Sequence, residues 1–528
     1  MSKSSITPPS DSFDAMESEK VERIATHDKV PGHSNYYEKD RLRTYGDDED
    51  HDNEPEMSMQ RFMSLVAMAF LWTGSQIPVY IFGAIPPYIY SDIGGVDRWI
   101  WLVLANLLAL AGVCPFVGSL SDILGRRYVA LLGALFIVVG MIVCSTAHTM
   151  NVFIAATAEL APTSKRGKYV AILVFTILPF CPSVMWAQLI ASHGGCRWCG
   201  LLCGVWAFIG FALTLVFYFP PPRVNSIGLS NREIIQQIDF VGGFLSVAGM
   251  ILFMAGMQWG GYQYDWTSAH VLVPLILGAV LLIIFCCWEI YGTKYPMFPS
   301  RLKQAPRILA LTLVITFISG ANFFSIIMFW PTQAFNVYGH DPIGVGVRGI
   351  PVGFSILAGA CIVLWLSVFM TAGCGALACA NRHNLSTLWA LLIIAGLGIG
   401  GIVVPASIIT TIICPDDLIA TVSALTLSIR VIGGSIGYCV YYNVFVSKFV
   451  PAATLHIGGV MARQLNITNK TLIGEAIHYT SSSLLPLLKT IPGIAGNETA
   501  YQMVVVAGQE AYAESYVYVY YASTAFEL

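Results

Sequence analysis

The chain is a ladder of long apolar runs, and that ladder limits the folds open to it. A helix needs about 20 apolar residues, within a range of ~17–25, to cross a hydrocarbon core of ~30 Å. Phe62–Phe82, Trp99–Val117, Tyr128–Ala147, Tyr169–Ala191, Leu201–Phe219, Phe240–Met257, Val271–Trp288, Ile308–Trp330, Ile350–Ala380, Leu388–Cys414 and Leu418–Val446 all reach that length. In lipid only helices and closed barrels satisfy every backbone polar group. Runs this long select helices and predict an all-α polytopic membrane protein. Only 11% of the residues are charged, where a soluble domain carries about 25%. The mean hydropathy is +0.67.

The charges that exist are segregated. Residues 1–60 hold 15 of the 31 acidic residues, including the run Asp47-Asp48-Glu49-Asp50. Few apolar residues accompany them, so this stretch reads as a disordered tail. No basic start precedes an apolar core there, so no cleavable signal peptide is expected and the first membrane helix does the targeting. Basic residues cluster in alternate connections: Arg126 and Arg127; Lys165, Arg166 and Lys168; Arg223 and Arg232; Arg301, Lys303 and Arg307. The intervening connections Trp259–His270 and Thr332–Gly349 are aromatic, Gly-rich and nearly free of lysine. Basic loops stay cytoplasmic, so the N-terminus is predicted on the cytoplasmic side.

Chain crossings must agree with that alternation. Arg127 and Lys165 share a side only if two spans separate them. One full run, Tyr128–Ala147, and the short apolar start of Asn151–Pro162 lie between. A span is missing near Asn151–Ala158. Asn466, Asn469 and Asn497 each open an Asn-x-Thr acceptor for glycosylation, which requires the luminal side. Counting from Arg307, they reach it only if Ile350–Ala380 is two helices. Its 31 residues fall short of the ~40 that two spans need, so the join near Ser367–Met370 is a second gap. Ala511–Ser523 approaches the membrane with Tyr-rich sequence and reaches Leu528 without a further span. A faulty gene model or a decayed gene would each leave such gaps.

Between the second and third runs stands Gly118-Ser-Leu-Ser-Asp122-Ile-Leu-Gly125-Arg126-Arg127. The glycines let two helix ends approach closely. Asp122 can cap the following helix or pair with an arginine. This stretch resembles the G-x-L-x-D-x-x-G-R-R/K loop of major facilitator superfamily transporters. The resemblance implies a latch between two halves, made of Gly118, Asp122, Gly125, Arg126 and Arg127. The segments Glu159–Tyr169, Leu178–Ser183, Ile402–Ile409, Ile429–Gly434 and Ala511–Ser515 sharpen it: residues 60–528 resemble the fungal trichothecene efflux pumps, a family close to the fungal siderophore transporters. Fourteen spans are implied, as two six-helix halves plus a central pair. The corresponding layout is a cytoplasmic tail (1–60), an N-terminal half with a truncated fourth helix (61–219), a connection (220–239) and the central pair (240–290). A C-terminal half with shortened tenth and eleventh helices (291–448) follows, then an extracytoplasmic loop and tail without the last helix (449–528).

Transporter sites form near the midplane from broken helices and rare polar side chains. Thr73, Gln76 and Pro78 interrupt the first run, Gln188 follows two prolines, and Asn106 and Asn322 are further buried amides. Trp186 and Phe324 could stack on a flat ligand. Interhelical hydrogen bonding would explain each amide equally well. Arg430 stands within an apolar run, where a membrane-centred arginine costs at least ~2.5 kcal/mol. It must face the interior and meet an acid, a carbonyl or an anionic substrate. Gly433, Gly434 and Gly437 follow it and favour close helix packing. No convincing midplane carboxylate is present to carry a proton. The helix-five stretch Thr176–Ser183 has prolines but lacks the glycines of the usual antiporter signature.

No nucleotide-binding loop, nucleophile elbow or His-Glu-x-x-His motif occurs. Cys196 and Cys199 form a Cys-x-x-Cys without a second ligand pair. An enzyme, a metal site, a cofactor and a nucleic-acid partner are therefore not expected. The partners implied are the bilayer, a small organic substrate (toxin, metabolite or siderophore) and a coupling proton. The resemblance implies export across the plasma membrane, or a vacuolar or vesicle membrane. Siderophore uptake and a non-transporting remnant are the rival readings.

Overall fold

The structure is a computed structural model that describes residues 59–99, 101–157, 177–219, 238–261, 263–298, 306–360, 366–381, 383–414 and 418–527. Among the described residues, 10 helices are long and apolar enough to cross a membrane. The N-terminal group comprises α1 (Met59–Ala84), α2 (Pro86–Ile93), α3 (Trp101–Leu124), α4 (Arg126–Thr146), α5 (Met150–Thr157), α6 (Ser183–Gly194) and α7 (Cys196–Phe217). A central pair follows, α8 (Phe240–Trp259) and α9 (Ala269–Cys287). The C-terminal group comprises α10 (Pro306–Tyr338), α11 (Pro342–Ala360), α12 (Leu366–Ala376), α13 (Leu385–Ile413), α14 (Ile419–Arg463), α15 (Lys470–Ser481) and α16 (Glu498–Glu527).

Each group is knit mainly within itself. In the first, α7 packs along α1 and α4; in the second, α14 packs along α10 and α16, and α13 along α11 and α12. The two groups meet chiefly through α3 against α14 and α6 against α11, with a smaller contact of α1 on α10. Small residues make the closest approaches. A Cβ on Gly433 would fall 2.1 Å from the Phe317 carbonyl oxygen, and one on Gly320 would fall 2.0 Å from that of Arg430. The central pair forms a hairpin whose first helix lies on α3 and α14. Gln258 donates to the Ser435 carbonyl at 2.7 Å and Asn443 to the Gly260 carbonyl at 3.2 Å, which ties α8 to α14.

Several elements differ from the sequence reading. The fourth run, Tyr169–Ala191, is not one helix where it is described. Pro179 and Pro182 remove ladder donors, and the chain makes a 3-10 turn at Leu178–Phe180 before α6 starts at Ser183. His193 lies in the last turn of α6. Around the first gap, α5 is described from Met150 to Thr157. Residues 158–176, with the basic cluster Lys165–Lys168, lie outside the described set, as do the 1–58 part of the tail and residues 220–237 of the connection.

The connection Thr332–Gly349 is mostly helical. The turn itself is only Gly339-His340-Asp341, where Gly339 takes φ +113° and the Asp341 carboxylate accepts from the Gly344 N–H at 2.8 Å. Ile350–Ala380 is divided between α11 and α12. Ser367–Met370 lies inside α12, and residues 361–365 lie outside the described residues.

The largest difference is at the C-terminus. Residues 449–528, expected as loop and tail, continue α14 to Arg463 and then form α15 and the 30-residue α16. Val504, Ala511, Tyr516 and Tyr520 are buried along α16, which packs on α14, α10 and α12. Tyrosine and glutamate lower its hydropathy, so it is absent from the apolar set although one face is as buried as a core helix. The ends of α2, α10 and α15 are tied together there: the Tyr90 hydroxyl donates to the Ser482 carbonyl, and Ser483 Oγ to Asn336 Oδ1 at 2.7 Å.

Candidate functional site

Arg430 is the centre of the most unusual polar cluster. It lies eleven residues into the 45-residue α14, about 16 Å of rise from its start. Its residue exposure is 8%. One guanidinium nitrogen, Nη2, donates to the Val403 carbonyl at 2.7 Å and to Ser407 Oγ at 3.0 Å, both on α13. The Nε–H has no hydrogen-bond partner. Tyr80 of α1 lies within electrostatic reach of the guanidinium. The Tyr80 ring also meets Phe323 of α10 edge-on, with centroids 6.5 Å apart. Four helices from both groups, α1, α10, α13 and α14, thus converge near one cation.

The other candidates distribute unevenly. Gln76 precedes Tyr80 by one helical turn, so the two share a face of α1; its Nε2 reaches Ser75 Oγ at 3.4 Å. Thr73 and Asn106 are buried on α1 and α3. Phe324 is buried and makes the close contact against Gly434, so it packs α10 on α14. Asn322 accepts from the Tyr441 hydroxyl at 3.2 Å and from Ser523 Oγ at 2.8 Å. That ties α10, α14 and α16 within one group, away from the seam. Gln188 Nε2 donates to the Ala84 carbonyl at the end of α1, 2.7 Å away, and its buried Oε1 has no partner. Trp186 is 39% exposed and donates to the Pro179 carbonyl at 2.9 Å; it does not join the Arg430 cluster.

Tyr80 escaped the sequence reading, although a tyrosine one turn beyond Gln76 and just past Pro78 was a signal available there. Tyrosine carries a hydroxyl that seeks a partner when buried.

The latch stretch is tighter than a loop. Gly118 and Asp122 belong to α3, Gly125 alone forms the hinge at φ +100°, and α4 starts at Arg126. The Asp122 side chain lies outside the described set. Arg127 donates to the Leu215 carbonyl at 3.2 Å and sits 3.7 Å from the centroid of the Phe219 ring, which braces α4 on the end of α7. Asn466 is exposed at φ +53°, while the Asn469 and Asn497 side chains cap the starts of α15 and α16.

An all-helical membrane chain with two helix groups meeting at paired seams, and with the Gly118–Arg127 hinge between its second and third spans, is a transporter of the major facilitator superfamily and not an enzyme. Residues 82–343 match the profile of the fungal trichothecene efflux pump (TRI12) family. Over that stretch the chain is similar to this family. It is 25% identical over 485 residues to the trichothecene efflux pump TRI12 of Fusarium sporotrichioides, an alignment covering 83% of this chain and 79% of that protein. It is equally 25% identical over 475 residues to the MFS-type transporter ucsD of an Acremonium species, covering 80% and 77%. The MFS-type efflux transporter ffsH of Aspergillus flavipes aligns at 25% over 374 residues, 63% of this chain and 65% of that one. Among solved structures, the human organic anion transporter MFSD10 (TETRAN) aligns with 88% of this chain and 100% of its own, at 13% identity and a TM-score of 0.49. The chain is an integral multi-pass membrane protein related to exporters of fungal secondary metabolites.

Proposed function

We propose that the protein exports a hydrophobic toxin or secondary metabolite by alternating access, driven by the proton gradient. The observation that carries this reading is the position of Arg430. A buried cation stands inside the bundle where α1 of one helix group meets α10, α13 and α14 of the other. Relative motion of the two groups would expose it to either side in turn. Gln76, Tyr80 and Phe323 line the same approach, with Thr73, Asn106 and Gln188 in the supporting polar set. The Gly118–Arg127 hinge acts as the latch on the cytoplasmic face, and residues 464–498 lie outside the cell or in the lumen. The plasma membrane is the expected location. The described membrane-spanning helices offer no midplane carboxylate, so the proton travels with the substrate or through residues outside the described set.

Disruption of the gene tests the direction of transport. Export predicts hypersensitivity to the cargo and its retention in the cell. Normal tolerance combined with failure to grow on a ferric siderophore as sole iron source would instead establish uptake.

One observation favours a second reading. Between Arg127 and Lys165 the sequence offers one full apolar run where two crossings are needed, as in a remnant that folds but moves nothing. Flux measured in reconstituted vesicles separates the two.

A further inference from the structure

Arginine stays protonated in proteins, so Arg430 places a full positive charge inside a bundle of apolar, membrane-spanning helices. Such a charge is costly unless an anion or a dense set of acceptors meets it. The acceptors here are one carbonyl and one hydroxyl, at 2.7 and 3.0 Å, and both serve the same guanidinium nitrogen. The Nε–H is left without a partner at 8% residue exposure. The described helices around it carry no carboxylate that meets it. The sequences of α1, α10, α13 and α14 contain no aspartate or glutamate at all. Nor does α6 or α11. Asp122 lies at the far end of α3, and Glu510 and Glu514 of α16 are engaged by His456 at 3.5 and 3.0 Å. Among the described residues, no carboxylate compensates the charge.

We infer that the missing counter-charge is supplied by the cargo, and that Arg430 is the anchor for one carboxylate of an amphipathic organic acid. This rests on the transporter reading and narrows its substrate class. A guanidinium whose Nε–H and Nη1 find no acceptor among the described residues suits the two-pronged grip that arginine makes on carboxylates. Tyr80 and Phe323 on the facing helices supply aromatic surface for an apolar body. The Tyr80 hydroxyl can donate to the same carboxylate. Arg430 then selects for charge, and the surrounding apolar helices select for hydrophobicity.

The test uses the full chain in nanodiscs of zwitterionic lipid, in chloride-free buffer. Decanoate, decanol and sodium chloride are compared as probes by their effect on the thermal midpoint. Decanoate is expected to raise the midpoint of the wild type with saturation, while decanol and chloride do not. R430Q should weaken decanoate binding at least about tenfold, and R430K should keep the preference for decanoate over decanol. R430M, which removes an unpaired charge, should match or exceed the wild-type midpoint when no anion is present. Equal responses to decanoate and decanol would overturn the inference. So would a chloride response that decanoate does not exceed, or an R430M that unfolds in anion-free buffer, because Arg430 would then be a structural residue. Flux of labelled decanoate in proteoliposomes separates this from the function proposed above. Arg430-dependent binding without flux removes the transporter reading alone. Flux of a neutral metabolite that R430Q leaves intact removes the anchor alone.

Discussion

Substituting Gly433 by alanine tests how the C-terminal helix group is held together. The added Cβ would fall 2.1 Å from the Phe317 carbonyl oxygen, and real Cβ contacts do not go below 3.0 Å. Helices α10 and α14 must part by about 1 Å at that level. They cannot yield by rotating a side chain, because the obstacle is backbone. The reciprocal contact of Gly320 with the Arg430 carbonyl oxygen, at 2.0 Å from an added Cβ, opens with it. Overpacking of this kind costs ~1–3 kcal/mol, and the backbone contact places G433A toward the upper end. Gly459 on the same helix has nothing within 4 Å of an added Cβ, so G459A is the matched control. Thermal unfolding of purified protein, followed by tryptophan fluorescence, should show G433A well below the wild type and G459A close to it. Equal midpoints for G433A and G459A would refute the packing argument.

Three further outcomes follow from the same geometry. His340, between α10 and α11, is pushed down to about 4 from its ordinary 6.5 by burial and then by the Arg348 charge. The unfolded chain therefore takes up the proton first, so stability is full above pH ~6.5 and declines as pH falls toward 4, by ~3 kcal/mol at most. H340F should flatten that slope in a pH series of thermal midpoints, and an unchanged slope rejects the assignment. N322A removes the shared acceptor of Tyr441 and Ser523 and should cost ~2 kcal/mol of stability, while cargo affinity stays as it was; a selective loss of affinity would place Asn322 in the cavity. Expression in a glycosylating host should give a product that endoglycosidase shortens, and the N466Q, N469Q, N497Q triple variant should not shift. A wild-type chain at the cell surface without glycan would contradict the assigned orientation.

The ladder of spans was legible because hydropathy reports lipid-facing surface directly. The Gly118–Arg127 hinge was legible because a left-handed turn needs glycine and the basic pair follows it. α16 was not legible by the same measure. Its buried face is built from Val504, Ala511, Tyr516 and Tyr520 against other helices, and protein-facing helices can hold tyrosine, serine and glutamate that lipid-facing ones avoid. The α10–α11 boundary was hidden for a related reason. Gln333 and Asn336 are buried inside the bundle, so polar residues that suggested a loop belong to helix. The fate of the polar candidates depended on three-dimensional pairing. Asn322 and Arg430 both stand in apolar runs, yet Asn322 finds two hydroxyls from its own helix group while Arg430 faces the seam. No spacing rule in one dimension distinguishes them. The crossing count flagged Asn151–Ala158, and the residues that follow, 158–176, lie outside the described set.

The central claim is that this chain moves a cargo between two sides of a membrane. Reconstituted vesicles with an imposed pH gradient, loaded with a panel of labelled hydrophobic fungal metabolites, test it most directly. Gradient-dependent flux of at least one metabolite, reduced in R430Q, is the predicted result. A well-folded, monodisperse protein that gives no flux above empty vesicles for any of them would contradict it.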